Sequence, residues 1–230
     1  LSQYKKADLS DVRIGWLGSY DGYLPFESGL LALCEQALEQ TAAAGGRVEA
    51  IRIPFDMDSL WQTWLTLRHW FVANSRRALY ANDDHRRQLK PELIWEIEQG
   101  AHVTAADVYD AGINRSNWFR ALNDAFAKYD ILALPSAQAF PFAIQQHWPT
   151  SLAGRTMDTY HRWMEVTIGA TLSGCPVISL PAGFEGGDGN RAMGMQFIAP
   201  IGKDRELLEF ALAYQESNNW FDAYPDDDIF

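Results

Sequence analysis

Short apolar segments alternate with longer amphipathic segments along the chain, and this alternation restricts the folds that the chain can adopt. Each apolar segment has the length of a β-strand, and most are followed at once by a glycine or a proline. They are residues 13–17, 48–53, 131–134, 177–180 and 193–199. The first two flank a helical segment, and a strand, helix and strand in succession form a βαβ unit with two parallel strands. We therefore predict an α/β fold in which a mixed, largely parallel β-sheet is flanked by helices.

The intervening segments have helical periodicity and recognisable helix ends. Pro25 is suited to begin a helix that runs through Ala44 to a Gly45-Gly46 stop. Thr104 and Asp107 form a variant of the capping box, which begins a long helix. Other helices are predicted at residues 56–79, 91–100, 158–172 and 205–216. In the 56–79 helix an apolar stripe is predicted to be core rather than a cofactor site; its members are Leu60, Trp61, Trp64, Leu67, Trp70 and Phe71.

Charge and composition exclude several classes of partner. The 230 residues include 30 acidic and 19 basic side chains, a net charge of −11, whereas nucleic-acid binding requires clustered lysine and arginine. There is no continuous apolar run long enough to span a membrane. The two cysteines, Cys34 and Cys175, form no disulfide framework, which favours a reducing, cytoplasmic location. Residues 218–230 are predicted to be a solvated acidic tail.

Most catalytic and cofactor motifs are absent. The chain has no Gly-x-Ser-x-Gly elbow, no phosphate-binding loop and no Cys-x-x-Cys or His-Glu-x-x-His motif. Residues 187–192 match a loose dinucleotide pattern, but a strand rather than a helix is predicted to follow them, which favours a simple turn. His161 and Glu165 lack a third ligand in the nearby sequence, and Cys175 lacks a neighbouring base to lower the pKa of its thiol. We predict no metal, no cofactor and no catalytic cysteine.

An ordered series of segments in the second half of the chain resembles a known family. Thr167 lies between the first and second of them, and Arg13-Ile14-Gly15 and the Tyr109 region match earlier segments. The segments are Asp-Ile-Leu-Ala-Leu-Pro at 130–135, Leu-Ser-Gly-Cys-Pro-Val-Ile-Ser-Leu-Pro-Ala-Gly at 172–183, Met-Gly-Met-Gln-Phe-Ile at 193–198 and Lys-Asp-Arg-Glu-Leu-Leu at 203–208. Together they resemble the C-terminal half of the amidase signature family. Two departures are Thr171, where the family often has Asn, and Arg191-Ala192, where it has Leu-Pro.

The resemblance implies that the catalytic groups lie outside this chain. Amidase signature enzymes use a serine nucleophile, a second serine beside a cis peptide and a lysine base, with oxyanion-binding amides in a Gly-Gly-Ser-Ser type loop. This chain contains no Ser-Ser and no Gly-Gly-Ser sequence. We therefore expect residues 1–217 to be the C-terminal half of such a domain, the N-terminal catalytic half to be its partner, and the chain alone to be inactive.

The resemblance also implies residues that contact substrate. Arg115 occupies the position at which the glutamine-using branch binds the substrate carboxylate, although an ordinary ion-paired helix arginine is an equal alternative. Trp163, Met164 and Thr167 lie on a segment that faces substrate in relatives, with core packing as the alternative. Gly183 and Gly194 are interpreted as backbone requirements, a turn and a close approach.

Three functional hypotheses follow. The first is part of a hydrolase that cleaves a small-molecule amide to an acid and an amine through a seryl acyl-enzyme. The second is a non-catalytic, amidase-like binding or assembly subunit, and the third is an unrelated α/β ligand-binding domain. The sequence upstream of Leu1 distinguishes the first two hypotheses, because a Gly-Gly-Ser-Ser type loop and a lysine there would support the first and their absence the second.

Overall fold

The computed structural model describes residues 4–185 and 191–218. These residues form two compact units. The sheet unit contains the described residues up to Ile53 and from Leu122 onward, and the helical unit contains Pro54–Ala121. Residues 187–190 of the dinucleotide-like pattern and residues 219–230 of the predicted acidic tail lie outside the described residues.

The sheet unit contains a five-stranded mixed sheet, as the sequence predicts. Its strands have the spatial order β2-β1-β3-β7-β6. They are β1 (Arg13–Trp16), β2 (Arg47–Ala50), β3 (Ile131–Pro135), β6 (Val177–Phe184) and β7 (Ala192–Ile198). β1 pairs in parallel with both β2 and β3, and β7 pairs antiparallel with β3 and β6. β6 therefore runs in the same direction as β3. Among the described strands of this sheet, only β7 runs in the opposite direction. A small hairpin, β4 (Ser151–Leu152) and β5 (Arg155–Thr156), is separate.

Two helices cover one face of this sheet. α1 (Leu30–Ala43) and α7 (Asp204–Asn218) pack against each other and against β6. The ring of Phe197 on β7 lies 5.0 Å from that of Phe210 and 4.8 Å from that of Tyr214, both on α7. Leu180, which is paired with Met195 in the sheet, is also buried. These residues form the apolar core of the sheet unit.

The first helix begins later than its sequence indicates. Pro25 does not open α1; the helix begins at Leu30, after Gly29, whose φ is +86°. The backbone of the preceding segment is held by another loop, because Glu27 N–H donates to Gln138 O and the Gln138 side chain donates to Pro25 O. These hydrogen bonds to a distant loop take the place of those that a helix beginning at Pro25 would form.

The predicted helix at residues 158–172 is also wrong in its first half. The chain there forms a 3₁₀ helix, Arg162–Thr167, and then a short α6 (Ile168–Ser173). Val166 N–H donates to the side chain of Gln138 at 2.9 Å instead of to a carbonyl four residues earlier. Helical periodicity in the sequence cannot show this competing acceptor.

β6 extends further than predicted, through residues assigned to a loop. Pro181 is tolerated because β6 is at the edge of the described sheet. The pairing with β7 shifts between Pro181 and Gly183, and Gly183 has φ +133°. The backbone requirement predicted for Gly183 is therefore a β-bulge. A Cβ on Gly194 would lie 3.1 Å from Ser136 Oγ, which confirms the predicted close approach.

The helical unit consists of helices from the middle of the chain. They are α2 (Met57–Ala81), α3 (Asp83–Arg86), α4 (Pro91–Gly100) and most of α5 (Ala105–Phe126). The capping box is confirmed, because Thr104 N–H donates to the Asp107 carboxylate and Asp107 N–H donates to Thr104 Oγ1. The part of the chain that the structure describes contains no helix that could span a lipid bilayer.

The α2 stripe is core for only part of its length. Leu60 and Trp61 are buried, but Trp70 is 43% exposed and Phe71 is 64% exposed. α4 meets α2 at His69 and Ala73, where a Cβ on Gly100 would lie 2.2 Å from His69 O. Phe71 lies two residues from each of these contact residues, about 200° around the helix, and so faces away from α4.

Candidate functional site

We place the candidate site at the carboxyl ends of β1 and β3, where open α/β sheets form their ligand-binding crevice. These strands are adjacent and parallel, but the chain after β1 leads to β2 on one side and the chain after β3 leads to β6 and β7 on the other. Open α/β sheets bind ligands where neighbouring connections diverge in this way. We define the crevice by the two loops that follow these strands, residues 17–29 and 136–149.

Two buried glutamines fix the 3₁₀ helix to these loops. Gln138 accepts a hydrogen bond from Val166 N–H at 2.9 Å. Gln196 on β7 donates to Val166 O at 3.1 Å and to Pro135 O at 2.9 Å. The carbonyl oxygens of Pro135 and Val166 and the N–H of Val166 therefore have side-chain partners instead of helical ones. These bonds fix the position of the 3₁₀ helix at the end of β3.

A charged network lies behind the 3₁₀ helix. Arg162 makes two hydrogen bonds to Asp158, at 3.0 and 3.1 Å, and one to Glu165 at 3.1 Å. Glu165 is 2% exposed and also accepts a hydrogen bond of 2.7 Å from Tyr23 Oη. This network joins the loop after β1 to the 3₁₀ helix.

Burial and charge act against each other within this network. Burial raises the pKa of Glu165 above its ordinary value, although the hydrogen bond from Tyr23 and the charge of Arg162 oppose the increase. Burial disfavours the charge on Arg162, but its hydrogen bonds and its attraction to Asp158 and Glu165 outweigh that effect and raise its pKa. The hydrogen bond from Arg162 lowers the pKa of Asp158.

A second ion cluster joins three loops. Arg191, just before β7, pairs with Glu27 at 2.5 Å and with Glu185 at 2.5 Å. Its guanidinium lies 4.5 Å from the centre of the Phe140 ring, and Glu27 accepts a hydrogen bond from Phe140 N–H at 2.9 Å. These contacts hold Arg191 between the loops that follow β1, β3 and β6.

Aromatic side chains line the 136–149 loop and the start of the 3₁₀ helix. The rings of Phe142 and Trp163 meet edge to face with centroids 5.4 Å apart, and those of Trp148 and Tyr160 meet at 6.3 Å. We call these four residues the aromatic wall. Trp148 and Trp163 pack at its base against a small buried cluster of Ala139, Leu152 and Met157. Phe142 is 36% exposed, so the wall presents apolar surface to solvent.

The structure brings three of the four predicted substrate residues to this crevice. Trp163, Met164 and Thr167 all lie on the 3₁₀ helix and are half-buried. Thr167 Oγ1 donates to Met164 O at 2.9 Å. Arg115 belongs to the helical unit, where it is exposed on α5.

Sequence reasoning missed several residues that build the crevice. Gln196 lies inside the 193–198 segment that resembles the amidase signature family, but the sequence did not indicate which groups its side chain contacts. Tyr23 and Gln138 carry no pattern that distinguishes them from surface polar residues, and Glu165 was considered only as half of a metal-ligand pair with His161. A buried role for a glutamine or tyrosine depends on partners far away in sequence, such as the 142 positions between Tyr23 and Glu165.

Other candidate groups are engaged locally. Ser173 Oγ donates to Ala170 O and accepts from Cys175 N–H. Burial raises the pKa of the Cys175 thiol, which disfavours the nucleophilic thiolate. Both carboxylate oxygens of Glu165 are bonded, one to Tyr23 and one to Arg162. Within the described ranges no group of three or more His, Cys, Asp or Glu residues is arranged to hold a metal ion. β7 begins at Ala192, the last residue of the dinucleotide-like pattern, so the chain forms a strand where that motif requires a helix.

The mixed sheet and the helices that flank it define an α/β layered protein. The chain belongs to the amidase family, whose family model, described as Amidase, matches residues 1–208. This confirms the resemblance stated from the sequence, and amide hydrolysis is the chemistry of that family.

Individual relatives agree with this assignment. The chain is 35% identical over 153 residues to the A subunit of glutamyl-tRNA(Gln) amidotransferase from Thermus thermophilus, covering 64% of this chain and 28% of that protein. It is 26% identical over 231 residues to the protein of the same name from Mycobacterium bovis, covering 90% and 45%. A bacterial aryl acylamidase of the amidase signature family has the same fold, with a TM-score of 0.80, 21% identity and coverage of 93% and 45%. The chain thus spans less than half the length of these relatives.

Proposed function

We propose that this chain is the C-terminal, substrate-contacting part of an amidase signature hydrolase that cleaves a small-molecule amide. We also propose residues 1–217 as part of its catalytic domain and residues 218–230 as an acidic tail, of which Asn218 still belongs to α7 and is buried. The match of the family over residues 1–208 carries the proposal. The free thiols Cys34 and Cys175 are compatible with a reducing compartment, and we propose the cytoplasm.

The proposed reaction proceeds through an acyl-enzyme. A serine oxygen attacks the amide carbonyl carbon, the C–N bond breaks, and the amine leaves with a proton delivered by the catalytic lysine through the second serine. Water then attacks the resulting ester, releasing the acid and restoring the serine. The serine, the bridging serine and the lysine come from polypeptide outside these 230 residues, since the chain has no Ser-Ser or Gly-Gly-Ser sequence.

Within that reaction, this chain contributes positioning rather than nucleophilic chemistry. The crevice residues Trp163, Met164 and Thr167 contact the acyl part of the substrate. Gln138 and Gln196 hold the backbone on which those side chains stand. Arg115 is the carboxylate ligand if the substrate is glutamine.

The edge of the sheet supports a partner of the kind proposed. β6 ends the described sheet, with Leu180 and Ala182 buried on the covered face. On the other face Ser179 and Pro181 are exposed and Val177 is 41% exposed. An unpaired edge strand with apolar exposure is suited to pair with further strands.

The test compares two proteins in one assay. The complete polypeptide, including the residues that precede Leu1 in its gene or the separate chain that supplies them, is expected to release ammonia from small primary amides. The 230-residue chain alone is expected to release none. Turnover by the short chain that is lost on changing Cys175 or Ser173 would contradict the proposal.

A second candidate function is a non-catalytic, amidase-like module for binding or assembly. The absence of the catalytic serines and lysine context from this sequence is the observation that favours it. A complete polypeptide or complex that lacks a Gly-Gly-Ser-Ser type loop and its lysine, and that binds but does not hydrolyse amides, supports this second function instead.

A further inference from the structure

We infer that the substrate of this site is an uncharged amide with an aromatic group, and that the crevice discriminates against amides that carry a free carboxylate. The inference rests on the proposed function and deepens it by naming the substrate class. It depends on two independent features, the engagement of the crevice arginines and the exposed aromatic wall.

The first feature is that the cationic side chains at the carboxyl end of the sheet already have partners. At this end of the sheet unit, residues 17–29, 51–53, 136–176 and 185–191 contain no lysine, and their arginines are Arg52, Arg155, Arg162 and Arg191. Arg52 pairs with Asp21 at 3.4 Å. Arg162 is held between Asp158 and Glu165, and Arg191 between Glu27 and Glu185.

Arg155 is engaged by the loop after β1. It donates to Tyr23 O at 3.0 Å, and its guanidinium lies 5.3 Å from the centre of the Tyr23 ring. Tyr23 in turn bonds to Glu165, so Arg155 is part of the same structure that holds the 3₁₀ helix. If Arg155 bound a substrate instead, the loop after β1 would lose its contacts with the Arg155 guanidinium.

The balance of charge around the crevice is unfavourable for an anion. In the described parts of these segments five carboxylates accompany the four arginines: Asp21, Glu27, Asp158, Glu165 and Glu185. A substrate carboxylate would therefore enter a region of net negative charge. To obtain a partner it would have to break an existing ion pair and leave a carboxylate such as the buried Glu165 without its arginine, which is strongly destabilising.

The second feature is the shape and chemistry of the aromatic wall. Phe142 and Trp163 form an edge-to-face pair that is partly open to solvent, and aromatic rings add to such pairs in the same geometry. The wall stands beside Met164 on the 3₁₀ helix, a side chain that adapts to flat apolar groups. An aromatic substituent buries its surface here without breaking any hydrogen bond or ion pair.

The test uses the complete polypeptide and three primary amides with the same leaving group. They are 3-phenylpropionamide, propionamide and glutaramic acid, and ammonia release measures all three. We expect kcat/KM for 3-phenylpropionamide to exceed that for glutaramic acid by at least about tenfold at pH 7, because the crevice offers the carboxylate no partner. L-Glutamine is expected to behave as glutaramic acid does.

Variants locate the effect in the wall. Phe142→Ala is expected to lower the ratio of kcat/KM for 3-phenylpropionamide to that for propionamide by about tenfold, mainly through KM, because it removes one face of the aromatic contact. The matched control is Ile201→Ala, which removes an apolar side chain that is 63% exposed after β7, at the opposite end of the sheet from the crevice. It is expected to leave the ratio unchanged.

The outcomes separate this inference from the proposed function. Preference for glutaramic acid or glutamine, lost in Arg115→Ala, would overturn the inference while amide hydrolysis stands. Equal kcat/KM for 3-phenylpropionamide and propionamide would overturn the inference that the site prefers an aromatic group. Failure to hydrolyse any of the amides would overturn the proposed function itself.

Discussion

Glu165 shows how single residues define this crevice. Its carboxylate is 2% exposed, and Tyr23 and Arg162 supply the hydrogen bonds that water would otherwise make. Burial nevertheless has the larger effect and raises its pKa. A buried ion pair of this kind fixes geometry more than it stabilises the fold. Here the geometry fixed is that of the 3₁₀ helix relative to the loop after β1.

Replacing Glu165 by Gln is expected to change how stability depends on pH. Because the pKa of Glu165 is raised in the folded state, the folded protein holds this proton to higher pH than the unfolded chain does. Its contribution to stability is therefore present below the ordinary pKa of 4.5 and is lost as pH rises through the raised value. We expect the wild type to lose stability relative to Glu165→Gln across that window.

Urea unfolding of both proteins between pH 4 and pH 8 measures this difference. Arg162→Gln is a useful companion, since it removes the charge that opposes the increase and should enlarge the pH dependence. A difference between wild type and Glu165→Gln that does not vary with pH would contradict the assignment.

Gln196 offers a second test at the same scale. Gln196→Met keeps the length of the side chain but cannot donate to Pro135 O or Val166 O. Leaving two buried carbonyls without donors is expected to lower the free energy of unfolding by about 2–4 kcal/mol. Gln62→Met, at an exposed position on α2, is the control and is expected to change it by less than about 0.5 kcal/mol. Equal stability of the two variants would show that Gln196 does not hold the 3₁₀ helix.

At the scale of elements, close contacts between side chains and backbone decide how α2 and α4 pack. α2 and α4 approach so closely at Gly100 that a Cβ there would lie 2.2 Å from His69 O and 2.5 Å from Ala73 Cβ. Arg68 and Glu96 form an ion pair between the same helices, and Tyr80 donates to Glu98 at 2.8 Å. A glycine at the end of α4 therefore sets the separation of the two helices.

Gly100→Ala is expected to destabilise the helical unit by about 1–3 kcal/mol, because the added methyl group meets backbone that must move. Gly112→Ala is the matched control: it lies within α5, where an added Cβ meets nothing within 4 Å. That change is expected to stabilise the protein by about 0.5–1 kcal/mol through helix propensity. Urea unfolding of the two variants measures the contrast, and effects of the same sign would contradict it.

At the scale of the whole molecule, the main feature is the partly open sheet. One face of β6 packs on α1 and α7, while the other exposes Val177, Ser179 and Pro181. The opposite edge strand, β2, carries the charged residues Arg47 and Glu49, which discourage further pairing. If the remaining polypeptide covers β6, this face becomes interior in the complete protein.

Val177→Asp is therefore expected to affect the complete protein and the short chain differently. In the complete protein it buries an unpaired charge, which should lower the melting temperature and the soluble yield. In the 230-residue chain the same residue is 41% exposed, and the change should be nearly neutral. Ala50→Asp on β2 is the control and is expected to be tolerated in both. A complete protein that tolerates Val177→Asp equally well would argue against a covered β6.

The elements of the fold could be predicted where they depend on local sequence. The helix at Pro91–Gly100 and the capping box at Thr104 agree with the structure because proline placement and side-chain caps act within a few residues. The central strands agree for the same reason, since short buried apolar segments bounded by proline have few alternatives. The start of α1 and the helix at residues 158–172 were wrong because Gln138, Gln196 and Tyr23 supply partners from distant parts of the chain.

The sequence by itself determined the α/β class, the family and the absence of the catalytic serine motif, since all three are encoded in short ordered segments. Only the tertiary structure decided how the crevice is built. It pairs each crevice arginine with an internal partner, it turns residues 162–167 into a 3₁₀ helix, and it exposes Phe142 beside Trp163. The physical reason is that charge pairing and hydrogen-bond competition depend on which side chains the sheet brings together, and residues such as Tyr23 and Glu165 meet only after the sheet has formed.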